Sequence, residues 1–433
     1  MTTPLRDAPD VSQSEDSAVS ADALPRCPVI PGQPDFPDAP GFPMRRDDPL
    51  SPPAAYARAR KSAGPCRVTL WNGTQAWIVT RHEQVRAILA DDARFSGRFG
   101  QDGFPTVTEA RVAVDRGERA FVGMDNPEHD RYRRMLTQEF SVPRMRALEP
   151  EIARLAESLI DELVAAGPPQ DLVGTLAVRF PSLVMSALFG SPYEDHRFII
   201  ECAAARHGLT QSVGTATSKA RELVDYVRRL IDAKEAAPGD DLPSRVLQAH
   251  VHAGRMTKDE LAEIGAMILR AGHDTTTHLI GLGTLLLLRD DAQRARLAAD
   301  PAGIARAVEE LLRMVSPVQF SPRRVARVDV EIGGVTVRAG EGLFLLLGSA
   351  NRDAAVFPDP DALDLGRDAA RHLAFGFGIH QCLGQTLARI ELRIVFEAIL
   401  RRLPALRLAV PFETLRFRDD MQIHGVHALP VTW

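Results

Sequence analysis

The segment that most restricts the fold of this chain runs from Thr257 to about Arg289. Thr257-x-x-Glu260 has the form of a capping box, in which a threonine hydroxyl and a glutamate carboxylate satisfy each other's backbone N–H groups. An apolar pattern of helical period follows for about 33 residues, which as one helix would span roughly 50 Å and cross a whole domain. Any compact fold must be built around such a rod. Its middle reads Ala271-Gly272-His273-Asp274-Thr275-Thr276-Thr277, a run of poor helix formers. Hydroxyls there divert backbone hydrogen bonds. The segment is therefore either one helix with a local bulge or two helices joined by a loop.

The second constraint is Phe375-Gly376-Phe377-Gly378-Ile379-His380-Gln381-Cys382-Leu383-Gly384. One cysteine lies among glycines, just before a long amphipathic segment. A helix N-terminus favours a thiolate, and glycine lets backbone approach a sulfur or a flat cofactor. The arrangement suits a thiolate on haem iron. Zinc is disfavoured, because Cys27, Cys66 and Cys202 are isolated and His380-x-Cys382 lacks a second ligand pair.

Of 433 residues, 45% are hydrophobic, enough for a large core. Four scattered cysteines point to a reducing cytoplasm and away from a disulfide framework. A net charge of -5 gives no global nucleic-acid footprint. No apolar run approaches the ~20 residues of a membrane span. Residues 1–47, rich in Asp, Ser, Ala and Pro, read as a mobile tail, with compact structure from near Pro49. Val68–Leu70 and Ala76–Thr80 flank Trp71-Asn72-Gly73-Thr74, a hairpin signal. A second hairpin is expected within Val330–Leu347 around Gly333-Gly334, and a short strand within Met421–Trp433. Helix breaks are expected at Phe99–Phe104 and Gly167–Gln170. Helix dominates.

Glu310-Leu311-Leu312-Arg313 sets a carboxylate and a guanidinium on one helix face. With Asn351-Arg352-Asp353 and Asp364-Leu365-Gly366-Arg367 it forms a candidate network bracing the loop of Cys382. In this order the cysteine loop, the Ala-Gly-x-Asp-Thr run and the Glu-x-x-Arg run resemble the cytochrome P450 superfamily, in its soluble, actinomycete-type branch. The resemblance spans roughly residues 49–433, and residues 48–433 are assigned to one mainly α domain with small β-sheets.

The resemblance implies roles. Cys382 would ligate the iron of haem b. His129, Arg133, Arg324 and His380 would hold its propionates, with Arg323 as an alternative to Arg324. Phe375, Gly376, Gly384 and Ala271 would lie against the cofactor. Asp274 and Thr275 would supply protons for oxygen activation. The activity implied is hydroxylation or epoxidation of a small organic molecule, using O₂ and two electrons from NAD(P)H through a separate ferredoxin or flavodoxin and its reductase. The basic residues Arg131, Arg133, Arg134, Arg144, Arg146, Arg389 and Arg393 would face that partner. Biosynthetic tailoring and xenobiotic breakdown are both compatible. The intact Asp274-Thr275 pair counts against a nitric-oxide reductase, a peroxide-driven hydroxylase or a haem sensor on the same fold.

The pocket walls are expected from Phe95–Phe121, Arg197–Thr217 and Ser316–Ser321. Met267 and Arg270 look toward substrate from the long helix. Arg270 departs from the family's usual aliphatic residue. A charge there needs a partner, either Asp274 at i+4 or an anionic substrate.

Overall fold

The computed structural model describes residues 38–433. The expected tail lies mainly outside the described residues, but its last part is packed. The Phe42 N–H donates to the Thr69 carbonyl at 2.9 Å. The Phe42 ring is buried between Phe320 and Phe344. Arg46 donates to the Gln319 side chain at 3.1 Å. Packed chain therefore begins before Pro49, and the boundary at residue 47 is corrected toward the N-terminus. The cause is aromatic burial that composition alone did not reveal.

Lys258–Arg289 is a single uninterrupted helix of 32 residues. Both halves of the capping box form: the Thr257 hydroxyl accepts from the Glu260 N–H at 3.1 Å, and the Glu260 carboxylate accepts from the Thr257 N–H at 2.7 Å. Neither the bulge nor the loop occurs. The Thr275 hydroxyl donates to the Ala271 carbonyl of its own helix at 2.9 Å, so it joins the helical bonds without displacing them. Most of the helix is buried. It packs on the helices Arg179–Phe189, Val213–Ala236, Ile304–Val315 and Gln385–Arg402. That tertiary burial overrides the weak propensity of its middle.

Small sheets lie beside this helical body. The strands Cys66–Thr69 and Gln75–Val79 pair antiparallel across the Asn-Gly turn. The second pairs parallel with Gly342–Leu345, which continues antiparallel to Arg323–Ala326 and then Phe95–Ser96. Val330–Ile332 and Val335–Val337 form the hairpin at Gly333-Gly334. Pro430–Thr432 is the C-terminal strand. The expected breaks are real: the chain is irregular at Phe99–Phe104, and the helix Glu149–Ala166 ends before Gly167.

The Glu310–Arg313 network forms as read. Both side chains are fully buried. Arg313 donates Nε to Glu310 Oε2 at 2.7 Å and Nη2 to Oε1 at 2.8 Å. It also reaches the carbonyls of Asn351 (2.9 Å), Pro360 (2.6 Å) and Ala362 (3.2 Å). Arg367 adds a 3.2 Å bond to Glu310. Asn351 then accepts from the Leu373 N–H at 2.7 Å, at the entrance to the cysteine loop. Removing one member leaves the other charge buried and unpaired, so Arg313→Ala should cost about 3–5 kcal/mol of unfolding free energy. Lysine should rescue little, because an ammonium lacks the planar fork that serves both Glu310 oxygens. Urea unfolding followed by circular dichroism checks this; a loss no larger than that of an exposed ion pair would contradict it.

Candidate functional site

The cysteine loop is shaped by its glycines. Gly376 and Gly378 both adopt positive φ, at 70° and 74°. A Cβ on Gly378 would collide with the Leu89 carbonyl oxygen at the end of the helix His82–Ala90. This close approach seats the loop on a rigid support. The Cys382 N–H donates back to the Phe375 carbonyl at 2.8 Å, closing the turn. Gly384 is the N-cap of Gln385–Arg402, so the positive end of that helix lies next to the sulfur. Burial pushes the Cys382 thiol up, while the Gly384 N–H and the charges of Arg133 and Arg389 oppose that rise.

Cys382 opens onto a cavity of 330 Å³. Phe375, Gly376, His380 and Gly384 line it from the loop, and Met267, Ala271 and Thr275 from the long helix. Arg133 also reaches it. Phe121, Val122 and Met185 complete the walls, together with Pro317, Val318 and Ser321. Residues 197–217 contribute no wall among the described residues, which corrects the expectation for that segment. They act from behind, as shown below.

The rings of His129 and His380 lie with centroids 4.2 Å apart. None of their four ring nitrogens has a hydrogen-bond partner among the described residues, although all are buried. Arg324 donates only to the Arg323 carbonyl, at 2.8 Å, and burial lowers its pKa to about 10. A Cβ placed on Gly97 would lie 3.2 Å from His380 Nε2 and 3.3 Å from Arg324 Nη1, so these two side chains are neighbours. Arg323 is committed elsewhere, to Asp115 at 2.9 Å and the Pro105 carbonyl at 3.1 Å. Of the two arginines, Arg324 is the one beside His380. Buried polar groups are normally paired, so two unpartnered imidazoles beside the Arg324 guanidinium fit an acidic group. A Cβ on Gly376 or Gly384 would meet nothing within 4 Å, which fits a flat group above the thiol. The residues present suit a haem with two propionates.

Asp274 is buried and doubly held. His207 Nδ1 lies 2.9 Å from Oδ2, and His273 Nδ1 lies 3.1 Å from Oδ1. Burial alone would raise its pKa, but these two hydrogen bonds win and hold it well below the usual carboxylate range. Burial pushes His207 down to about 4, against the pull of Asp274. The pair is thus carboxylate and neutral imidazole at neutral pH.

Arg270 does not bond Asp274, and it is not among the residues that line the cavity. Its Nη2 donates to Glu118 Oε1 at 2.8 Å. Asp274 is occupied by the histidines. Glu118 also accepts from Arg206, and Asp115 accepts from Arg111 at 2.7 Å as well as from Arg323. Sequence reading missed Glu118, Asp115 and His207. Glu118 and His207 act on residues far along the chain, which no local spacing marks, and Asp115, whose i,i+4 pairing with Arg111 is local, also reaches the distant Arg323.

The basic residues near Cys382 are largely spoken for. Arg389 pairs with Glu309 at 2.7 Å, Arg393 with Glu149 at 2.6 Å, and Arg134 with Asp130. No helix among the described residues is long and apolar enough to cross a membrane.

Comparison with known proteins agrees with this geometry. Residues 304–407 match the family model Cytochrome P450. The chain is 46% identical over 385 residues to Cytochrome P450-SU2 of Streptomyces griseolus, covering 89% of this chain and 94% of the relative. It is 42% identical over 389 residues to the Vitamin D3 dihydroxylase of the same organism, covering 90% and 95%. Among solved structures, CYP105P1 in complex with filipin I superposes with a TM-score of 0.85 at 41% identity, covering 92% of this chain and 99% of that one. The mycinamicin VIII C21 methyl hydroxylase MycCI of Micromonospora griseorubida gives 0.86 at 36% identity, covering 91% and 100%. With its central helix, cysteine loop and buried Glu310–Arg313 network, the chain belongs to the cytochrome P450 family and is a P450 monooxygenase of the actinomycete type.

Proposed function

We propose that this protein hydroxylates a small, largely apolar organic molecule in the cavity above Cys382, with haem b as its cofactor. The observation that carries this reading is the sharing of one apolar cavity by the Cys382 thiol and by Ala271 and Thr275. Cys382 is the iron ligand, and His129, Arg133, Arg324 and His380 hold the propionates by charge-assisted bonds. Phe375, Gly376, Gly384 and Ala271 border the ring. When bound, the haem supplies the activation of O₂ and the transfer of one oxygen atom to substrate.

The chain's own residues position and protonate. Met267, Phe121 and Val318 exclude water and orient the substrate by contact. The Thr275 hydroxyl lines the cavity beside Asp274, which lies behind it on the same helix. It trades its bond to the Ala271 carbonyl for one to a water, and so presents a proton at Oγ1. Asp274, ionised and fixed by His207 and His273, takes up and passes on the replacement. Relatives named Vitamin D3 dihydroxylase and mycinamicin VIII C21 methyl hydroxylase support hydroxylation as the reaction. Two electrons come from NAD(P)H through a separate ferredoxin or flavodoxin. The scattered cysteines support a cytoplasmic enzyme.

Neutral apolar ligands that enter the cavity should shift the spin state of the ferric holoprotein from low to high. A haem difference-spectroscopy screen reads this. Hits supplied with a reconstituted reductase and ferredoxin should yield oxygenated product with O₂ uptake. Product formed from peroxide alone, with none from the electron-transfer chain, would overturn the reading.

A further inference from the structure

Behind the cavity wall four guanidiniums meet two carboxylates. Arg111, Arg206, Arg270 and Arg323 are all buried, as is Asp115. Glu118 bridges Arg206 and Arg270, and Asp115 bridges Arg111 and Arg323. Asp115 also lies 3.6 Å from Arg206. The groups come from the helix Glu109–Gly117 and its C-cap Glu118, from the helices His196–His207 and Lys258–Arg289, and from the strand Arg323–Ala326. Arg270 follows Met267 and Ile268 and precedes Ala271, all three of which line the cavity, while Glu118 lies three residues before Phe121. Arg270 and Glu118 thus adjoin, along the chain, residues that line the cavity, while neither lines it itself. Glu118 stays ionised: burial would raise it, but Arg206 and Arg270 hold it near 2. In this cluster positive charge exceeds negative, so Glu118 decides whether Arg270 presents a free guanidinium.

We propose that Glu118 sets the charge selectivity of the substrate cavity: by engaging Arg206 and Arg270 it keeps carboxylate ligands out, and its neutralisation opens the cavity to them. This rests on the reading that the cavity above Cys382 holds haem and substrate. A buried carboxylate already occupies the guanidinium that an anionic ligand would need. An entering anion would have to displace it from Arg270 and leave buried Glu118 with Arg206 as its one ion-pair partner, beside a second buried negative charge, which is costly. Without Glu118, Arg270 has no ion-pair partner among the described residues, and a ligand carboxylate becomes the natural one.

The test uses the ferric holoenzyme and ω-imidazolyl-decanoic acid with its methyl ester. The imidazole binds iron and reports occupancy through the Soret band, while the flexible chain carries the carboxyl group to the wall. The natural protein should bind the ester at least as tightly as the acid. Glu118→Gln should tighten the acid about tenfold, as one charge-assisted hydrogen bond gives, and leave the ester nearly unchanged. Adding Arg270→Leu should cancel that gain. Glu118→Gln with Arg206→Gln restores the charge balance of the cluster and guards against poor folding; it should retain the preference for acid. An unchanged acid-to-ester ratio in both Glu118 variants would overturn the proposal, as would an Arg270-dependent preference for acid in the natural protein. Failure of the imidazole to shift the Soret band at all would instead count against the cavity reading.

Discussion

Cys382→His is expected to abolish monooxygenase activity while leaving part of the haem bound. An imidazole can also ligate iron, and His129, Arg133, Arg324 and His380, proposed above to hold the propionates, are untouched. What disappears is the electron donation of a thiolate, which favours O–O cleavage. The carbon monoxide complex of the reduced protein should accordingly lose its red-shifted Soret band. A larger ring must also fit a loop whose turn is closed by the Cys382 to Phe375 bond at 2.8 Å, so haem content should fall. Retention of both the red-shifted band and turnover would remove Cys382 from the iron.

The second large effect is expected at Asp274 and Thr275. General acid–base groups contribute about a hundredfold or more to rate, and Asp274→Asn should slow product formation on that scale. The geometry gives a specific reason. Asp274 offers an oxygen to each of His207 and His273, at 2.9 and 3.1 Å. Asparagine offers one oxygen and one NH₂, so one histidine must switch tautomer or lose its bond. Thr275→Ala should differ in kind. Its hydroxyl bonds only the Ala271 carbonyl, so its loss should leave the helix and substrate binding intact. Electrons should then flow to peroxide, and product formed per NAD(P)H consumed should drop. Normal coupling and normal rate in both variants would dismiss the relay.

Much of this site is legible in the residues themselves. A capping box announces where the long helix begins, because Thr257 and Glu260 act within one turn. The Asn-Gly and Gly-Gly turns locate two hairpins for the same local reason. Glu310 and Arg313 are three residues apart, so their pairing is implicit in helical geometry. What local pattern cannot supply is the choice among distant partners. Arg270 was weighed against Asp274, its neighbour at i+4, yet it binds Glu118, 152 positions away. His207 meets Asp274 across 67 positions. Arg323 and Arg324 alternate on one strand and so point to opposite faces, one to Asp115 and the other to the side of His380. The uninterrupted helix through Ala271–Thr277 shows packing overruling propensity.

The stretch ahead of Pro49 has a consequence unrelated to catalysis. Cys66–Thr69 is an outer strand of the five-stranded sheet, and such strands invite pairing with another chain. Here the Thr69 N–H donates to the Pro40 carbonyl at 2.9 Å and the Thr69 carbonyl accepts from Phe42, so one end of the strand is already bonded. Phe42 covers the aromatic surface beneath. Proteolytic trimming to residue 47 would bare both the strand end and the apolar patch, and the molecule would gain a route to self-association. These few residues thus shield one end of a sheet whose other strands set Arg324 beside His380.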